Sequence, residues 1–301
     1  MSGTTAGTTD GPTAGSDITA EAGPENPPAT PARRGDRVTV TAACVVGAFV
    51  LLALVGPFIT PHDPNAVDPF DVNAGPSGAH LLGTDDTGRD ILSRIICGAR
   101  AGLAAPALVV AFSTAVGVLL ALTAAWFGGW VDRIVSGLLD VVFGFPGLIL
   151  AVLAAAVFGA GLVAPVAALS IAYLPLVTRV VRSAAMKERA LPYVSALQLL
   201  GAPTRRIWLR HLLPNLAPLV LVQATIGFGY ALLDVAAISF IGLGAQPPDP
   251  EWGLMVSNGA AGILAGRPQQ SLFTGLVVLV VVVAFNLLGS GLSRRLPGGN
   301  T

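Results

Sequence analysis

AGLAAPALVVAFSTAVGVLLALTAAWFGGWV, residues 101–131, is a run of 31 residues without one charged side chain. A helix rises about 1.5 Å per residue, so roughly 20 apolar residues already cross a hydrocarbon core of about 30 Å. The run is therefore long enough to span a bilayer and too apolar to turn any face to water. Outward from it, further apolar runs predict spans at 38–60, 101–126, 134–157, 163–181, 217–242 and 272–292. The reading is an all-α polytopic membrane protein with six transmembrane helices.

Composition agrees. Of the 301 residues 53% are hydrophobic and only 11% charged, with a mean hydropathy of +0.73, where soluble domains carry about a quarter charged residues. The 17 basic and 17 acidic residues cancel, which argues against a nucleic-acid partner, since such a partner calls for a clustered positive face. Membrane lipid is the expected surrounding. Cys44 and Cys97 stand alone, so neither a disulfide framework nor a thiolate metal cage can be written, and no metal site is assigned.

Residues 1–37 are rich in Gly, Thr, Ala and Pro and lack the apolar side chains needed to offset chain entropy, so a disordered tail is expected. The organisation that follows is a first helix 38–60, an external segment 61–100, a five-helix core 101–292 and a tail 293–301. Six spans put both termini on one side. With the tails cytoplasmic, 13 of the 17 basic residues face inward, and only Arg89, Arg94, Arg100 and Arg267 face out. The positive-inside rule therefore predicts cytoplasmic termini and a multi-pass cell-membrane protein.

Two polar segments carry more than a connection requires. Residues 182–215 read as helix, sharp turn, helix: Pro192 suits a first turn, Gly201 a left-handed end, and Thr204 an N-cap. A basic helix pair lying on anionic lipid is one reading, and a rigid knob for another protein is the other. On the far side stands His80-Leu81-Leu82-Gly83-Thr84-Asp85-Asp86-Thr87-Gly88-Arg89-Asp90-Ile91-Leu92-Ser93-Arg94. Its Gly-Arg-Asp can be a turn with a local Arg-to-Asp salt bridge, a substrate contact, or a docking surface.

Tyr193-Val194-Ser195-Ala196, then Gly201-Ala202, then His211-x-Leu213-Pro214-Asn215 resembles the cytoplasmic coupling loop of ATP-binding-cassette importer permeases, in their dipeptide and oligopeptide branch. The outer stretch with Gly83, Thr84, Asp85, Gly88, Arg89 and Asp90 resembles the mark of the second permease subunit. Asp132-Arg133, Asp140 with Phe145-Pro146, and Trp252-Gly253-Leu254-Met255 agree. The resemblance covers about residues 40–292 and implies half of a translocation path. The implied partners are a homologous permease, two cytoplasmic ATPase subunits that bind the ATP, and an external solute-binding protein. It also implies that a side chain at Gly201 clashes at the tight end of the loop. Ser195 and Leu197 stand where the family has Glu and Ala, and Asp234 sits one place before the family's usual acid.

No cofactor of its own is expected. The single lysine, Lys187, is followed by Glu188 with no glycine loop before it, so no phosphate-binding loop exists and the chain reads as a transport subunit without its own ATPase site. No Ser-His dyad or His-Glu-x-x-His pair is present. Asp140 and Asp234 fall inside spans, where an ionisable group is expensive. Asp140 reads as a carboxyl near a helix end that bonds a neighbouring helix, and either acid could line the path or pair at the permease interface. An aspartyl protease pair is the weak enzymatic rival. Trp126, Trp130, Trp208 and Trp252 read as interfacial anchors, and Gly117 and Gly147 as close-packing positions. Dipeptides or oligopeptides are the implied cargo, with nickel or another small solute as the alternative. A secondary transporter would need inverted repeats, and none is visible between 38–157 and 163–292.

Overall fold

The computed structural model describes residues 32–294, with side chains from residue 37. Among these residues every regular element is a helix, and the one extended pairing is an isolated bridge between Thr84 and Asp90. The helices are α1 (Ala32–Ile59), α2 (Ile91–Phe127), α3 (Gly129–Phe143), α4 (Gly147–Phe158), α5 (Val163–Ala172) and α6 (Leu174–Arg189), then α7 (Pro192–Leu199) and α8 (Thr204–Ile207). A π-helical turn, Trp208–Leu212, leads into α9 (Leu213–Phe240), followed by α10 (Trp252–Asn258), α11 (Ala260–Leu264) and α12 (Gln269–Arg294).

Five continuous helical stretches are long and apolar enough to cross a membrane, and the α3–α4 pair makes six if it counts as one bent span. Three expectations need correction. The predicted 134–157 span is broken by a 76° bend, because Pro146 cannot donate to the helix ladder and disfavours helical backbone at Phe145. Within the 61–100 segment α2 starts at Ile91 and carries Arg94 inside it. Residues 32–37 are helical rather than part of a tail, and the rest of the expected N-terminal disorder, with residues 295–301, lies outside the described residues. Thr204 is not an N-cap: Pro203 holds that position and Thr204 begins the helix.

Helix α2 is the central post, packed along α1, α5, α6 and α9, while α12 closes against α1 and α9. Water gives no apolar driving force between helices in lipid, so close approach has to hold them. Gly117 of α2 would place a Cβ 3.1 Å from Val177 of α6, so a larger residue would push these helices apart. The outward faces stay apolar and open, as at Leu51, Leu54, Leu119 and Leu279. Gly56 near the end of α1 packs on Ile96 near the start of α2, and Gly291 near the end of α12 packs on Thr39 near the start of α1. The start of α1 and the end of α12 therefore meet at one end of the bundle. The 37 residues of α2 separate the two polar regions by about 55 Å at 1.5 Å per residue.

Candidate functional site: a knob and a cap at opposite ends of one helix

The knob grows from α6. Pro192 occupies the first turn of α7, where a missing N–H costs nothing. Its inner face is apolar: Val194 is fully buried in a cluster with Val118, Ala121, Leu122, Val181, Ala185, Ile207, Leu212 and Leu216. Gly201 ends the helix with φ +74°, and the Gly201 and Ala202 amides donate to Gln198 and Leu197 carbonyls at 3.0 Å. No atom lies within 4 Å of where a Gly201 Cβ would stand. The expected clash is thus absent from this chain, and glycine is required there by its positive φ alone.

A carboxylate that the sequence reading passed over closes the loop. Glu188 Oε1 accepts the Tyr193 hydroxyl at 2.7 Å and the Asn215 amide at 2.7 Å, and Asn215 Nδ2 reaches the Tyr193 oxygen at 3.3 Å. The start of α7, the end of α6 and the start of α9 are thereby tied at one point. Burial and the neighbouring Glu188 push the Tyr193 phenol up to about 12, so it stays a donor at any physiological pH. The only signal in the sequence was that Glu188 is the one acid in a strongly basic stretch. Ser195, Ala196, Leu199 and Leu200 point outward, the two leucines 90% and 82% exposed. Arg205, Arg206, Leu209 and Arg210 form the exposed flank beside them. His211 packs its ring 6.2 Å from Tyr193, while Leu213 and Pro214 open α9.

Two ion pairs anchor α3 to α6 nearby. Arg182 grips Asp132 through both carboxylate oxygens at 2.5 Å, and Arg179 meets Asp140 at 2.6 Å while lying 4.3 Å over the Phe143 ring. Asp234 of α9 instead accepts the Tyr173 hydroxyl at 2.8 Å. The two intramembrane acids have separate partners on separate helices and form no shared-proton dyad.

The cap at the other end is built from buried polar groups. Asp85, 2% exposed, accepts the Thr87 amide at 2.9 Å, the Thr87 hydroxyl at 2.7 Å and the Arg89 amide at 2.9 Å. Thr84 accepts the Ala74 amide at 2.8 Å and donates to the Asp71 carbonyl. Gly88 has φ +82°, and a Cβ there would stand 1.9 Å from the Asp68 carbonyl oxygen. Asp90 is the N-cap of α2, taking the Ser93 amide at 2.8 Å and hydroxyl at 2.6 Å. Burial opposes its ionisation, but Ser93, His80 and His62 outweigh that and hold the carboxyl below the usual range.

The local Arg89–Asp90 bridge expected from the sequence is not formed. The buried cation is Arg94, 1% exposed, whose Nε lies 3.7 Å from Asp85 and whose Nη1 donates to the Pro64 carbonyl at 2.9 Å and the Pro248 carbonyl at 3.3 Å. One guanidinium thus joins the 61–90 loop to the loop before α10. Glu251, also 1% exposed, caps α10 by accepting the Gly253 and Leu254 amides at 3.0 and 2.9 Å. Burial raises its carboxyl despite those bonds. Trp252 corrects another expectation: it is no interfacial anchor but fully buried, donating to the Ile95 carbonyl at 3.1 Å and lying in a trough made by Gly98 and Gly102.

Residues 113–297, more than half the chain, match the family described as binding-protein-dependent transport system inner membrane component. Residues 34–76 match the N-terminal TM domain of oligopeptide transport permease C. A dipeptide transport system permease protein of Alkalihalophilus pseudofirmus is 36% identical over 87% of this chain and 86% of its own length. Glutathione transport system permease proteins of Pectobacterium atrosepticum and Escherichia coli O157:H7 are 38% and 37% identical, over 86% and 87% of both chains. The chain belongs to the binding-protein-dependent inner membrane transport family, and it is a membrane permease subunit.

Proposed function

We propose that this permease forms half of the path of an ATP-driven importer for dipeptides or short oligopeptides, and that the knob at 182–215 transmits the work of ATP-hydrolysing partner subunits. The observation that carries this reading is the asymmetry of α7: Val194 is fully buried in the bundle while Leu199 and Leu200 stand exposed at the tip. A helix rooted on one face and open on the other suits insertion into a cleft of a second protein. The names of the dipeptide and glutathione relatives support the cargo class.

The coupling follows from rigidity. A push on α7 reaches α6 and α9 together, because Glu188 ties Tyr193 to Asn215. It reaches α3 through Asp132–Arg182 and Asp140–Arg179. Closure of an ATPase dimer would turn these helices as one body and expose the path alternately to either side. In the same reading a homologous permease supplies the other half and an external solute-binding protein delivers cargo to the cap. The termini and knob face the cytoplasm, and Asp234, with Tyr173, is available to the path or the permease interface.

Uptake of labelled dipeptide by a strain carrying Gly201→Glu tests the coupling. Loss of uptake with the permease still present in the membrane is expected. Full transport with normal ATPase attachment would overturn the role given to the knob.

A further inference from the structure

The cap holds a cluster to which the coupling through the knob gives no role. His62 follows α1, His80 lies in the middle of the external loop, and Asp90 caps α2, yet one ligand atom from each lies within 4.8 Å of the others. His80 Nδ1 is 3.0 Å from Asp90 Oδ1, and His62 Nδ1 is 3.8 Å from Asp90 Oδ2. The two imidazole rings stand 4.8 Å apart, tilted by 37°. We propose that His62, His80 and Asp90 form a site for one divalent transition-metal ion of the zinc kind.

The donor set fits that class. Two imidazole nitrogens and one carboxylate oxygen suit zinc and its transition-metal neighbours, whereas magnesium and calcium take all-oxygen cages. Ligand bonds of about 2.0–2.2 Å let three donors at these separations share one ion after small side-chain adjustment, with a position left for water. The outer partners are in place as well. His80 Nε2 faces Asp71 Oδ2 at 3.8 Å, so a second carboxylate stands behind the ring that would ligate through Nδ1. The His62 amide donates to Ser93 Oγ at 3.1 Å, and Ser93 in turn holds Asp90. Two of the three ligands are therefore pre-positioned through one serine. His62 is 43% exposed in its side chain, which gives the ion an entry route. Bound there, the ion would pin the exit of α1, the external loop and the start of α2 to one another.

The test uses the assembled transporter, purified in detergent and stripped with a chelator, then titrated with Zn²⁺. Bound metal is counted by mass spectrometry after desalting, and Co²⁺ serves as a visible-absorption probe of the coordination. The expected result is one ion per copy of this chain and a thermal midpoint that rises with metal. Both effects should weaken at least tenfold in affinity for His62→Ala and for His80→Gln, and about tenfold for Asp71→Asn through the outer partner. Asp90 is a poor choice for mutation because it also caps α2, whereas His62→Ala leaves the backbone bond to Ser93 intact. Equal binding in the wild type and the two histidine variants would overturn the site, as would no binding at all. Tighter binding of Mg²⁺ than of Zn²⁺ would overturn the assignment of donor class.

Discussion

The cap and the knob solve opposite problems with opposite materials. The cap buries its charges: Asp85, Asp90, Arg94 and Glu251 are each at most 3% exposed, and loops far apart in sequence meet on them. The knob is rooted on aliphatic carbon, at Val194, Ile207 and Leu212, and leaves leucines and arginines outside. A buried charge is costly unless paired, so a network of them fixes one arrangement and tolerates little change. An exposed apolar tip costs little to move and is completed by a partner. The difference teaches that one end of this molecule is held by its own buried charges while the other presents an open apolar tip.

That contrast can be broken experimentally, most forcefully at Arg94. Arg94→Met removes the cation facing buried Asp85 and the bonds to the Pro64 and Pro248 carbonyls, so a loss on the order of 3–5 kcal/mol is expected, read as a collapse of the thermal midpoint. An unchanged midpoint would mean that the cap does not depend on its charges. Gly88 and Gly201 sharpen the comparison, since both have positive φ but only Gly88 faces backbone at contact distance. Gly201→Ala should cost roughly 1–2 kcal/mol from conformation alone. Gly88→Ala should cost about 1–3 kcal/mol more for the added overlap. Equal midpoints for the two would remove the distinction.

Smaller effects are expected in the knob. Glu188→Ala removes two hydrogen bonds at the loop's base and should cost about 1–2 kcal/mol, with uptake falling further than the midpoint suggests. Leu200→Ser at the tip should shift stability by no more than about 0.5 kcal/mol while lowering uptake and ATPase attachment. Normal uptake in that variant would show the tip to be a bystander. Acid should weaken the cap at low pH. Asp90 sits below the usual carboxylate range, so its contribution is complete above the unfolded value and is lost only as pH falls through the lower folded value. Thermal midpoints measured at successively lower pH would show this as a loss confined to the acid limb.

The spans were legible because lipid leaves so little choice: a charge-free run of 31 residues has one environment open to it. The bend at Pro146 was written in the sequence as well, yet a run of apolar residues on both sides of it concealed the break. Tyr193, Gly201 and Asn215 could be marked because they stand in one short stretch that resembles the coupling loop of a known permease family. Arg94, Glu188 and the His62–His80–Asp90 cluster could not, since their meaning lies in loops that meet only after folding. Trp252 shows the same limit from the other side: an aromatic near a polar loop reads as an anchor until Gly98 and Gly102 are seen to make room for it.

The pairs Asp132–Arg182 and Asp140–Arg179 come from positions eight residues apart on α3 and three apart on α6. Two fastenings at different heights do what one cannot: they set the axial registration of the helices as well as their spacing. A slide of one residue, about 1.5 Å along the axis, would strain both pairs at once. The two pairs thereby resist slippage of α3 against α6 more than tilting of the joined pair, so the two helices form a plate whose free edge is the bend before α4.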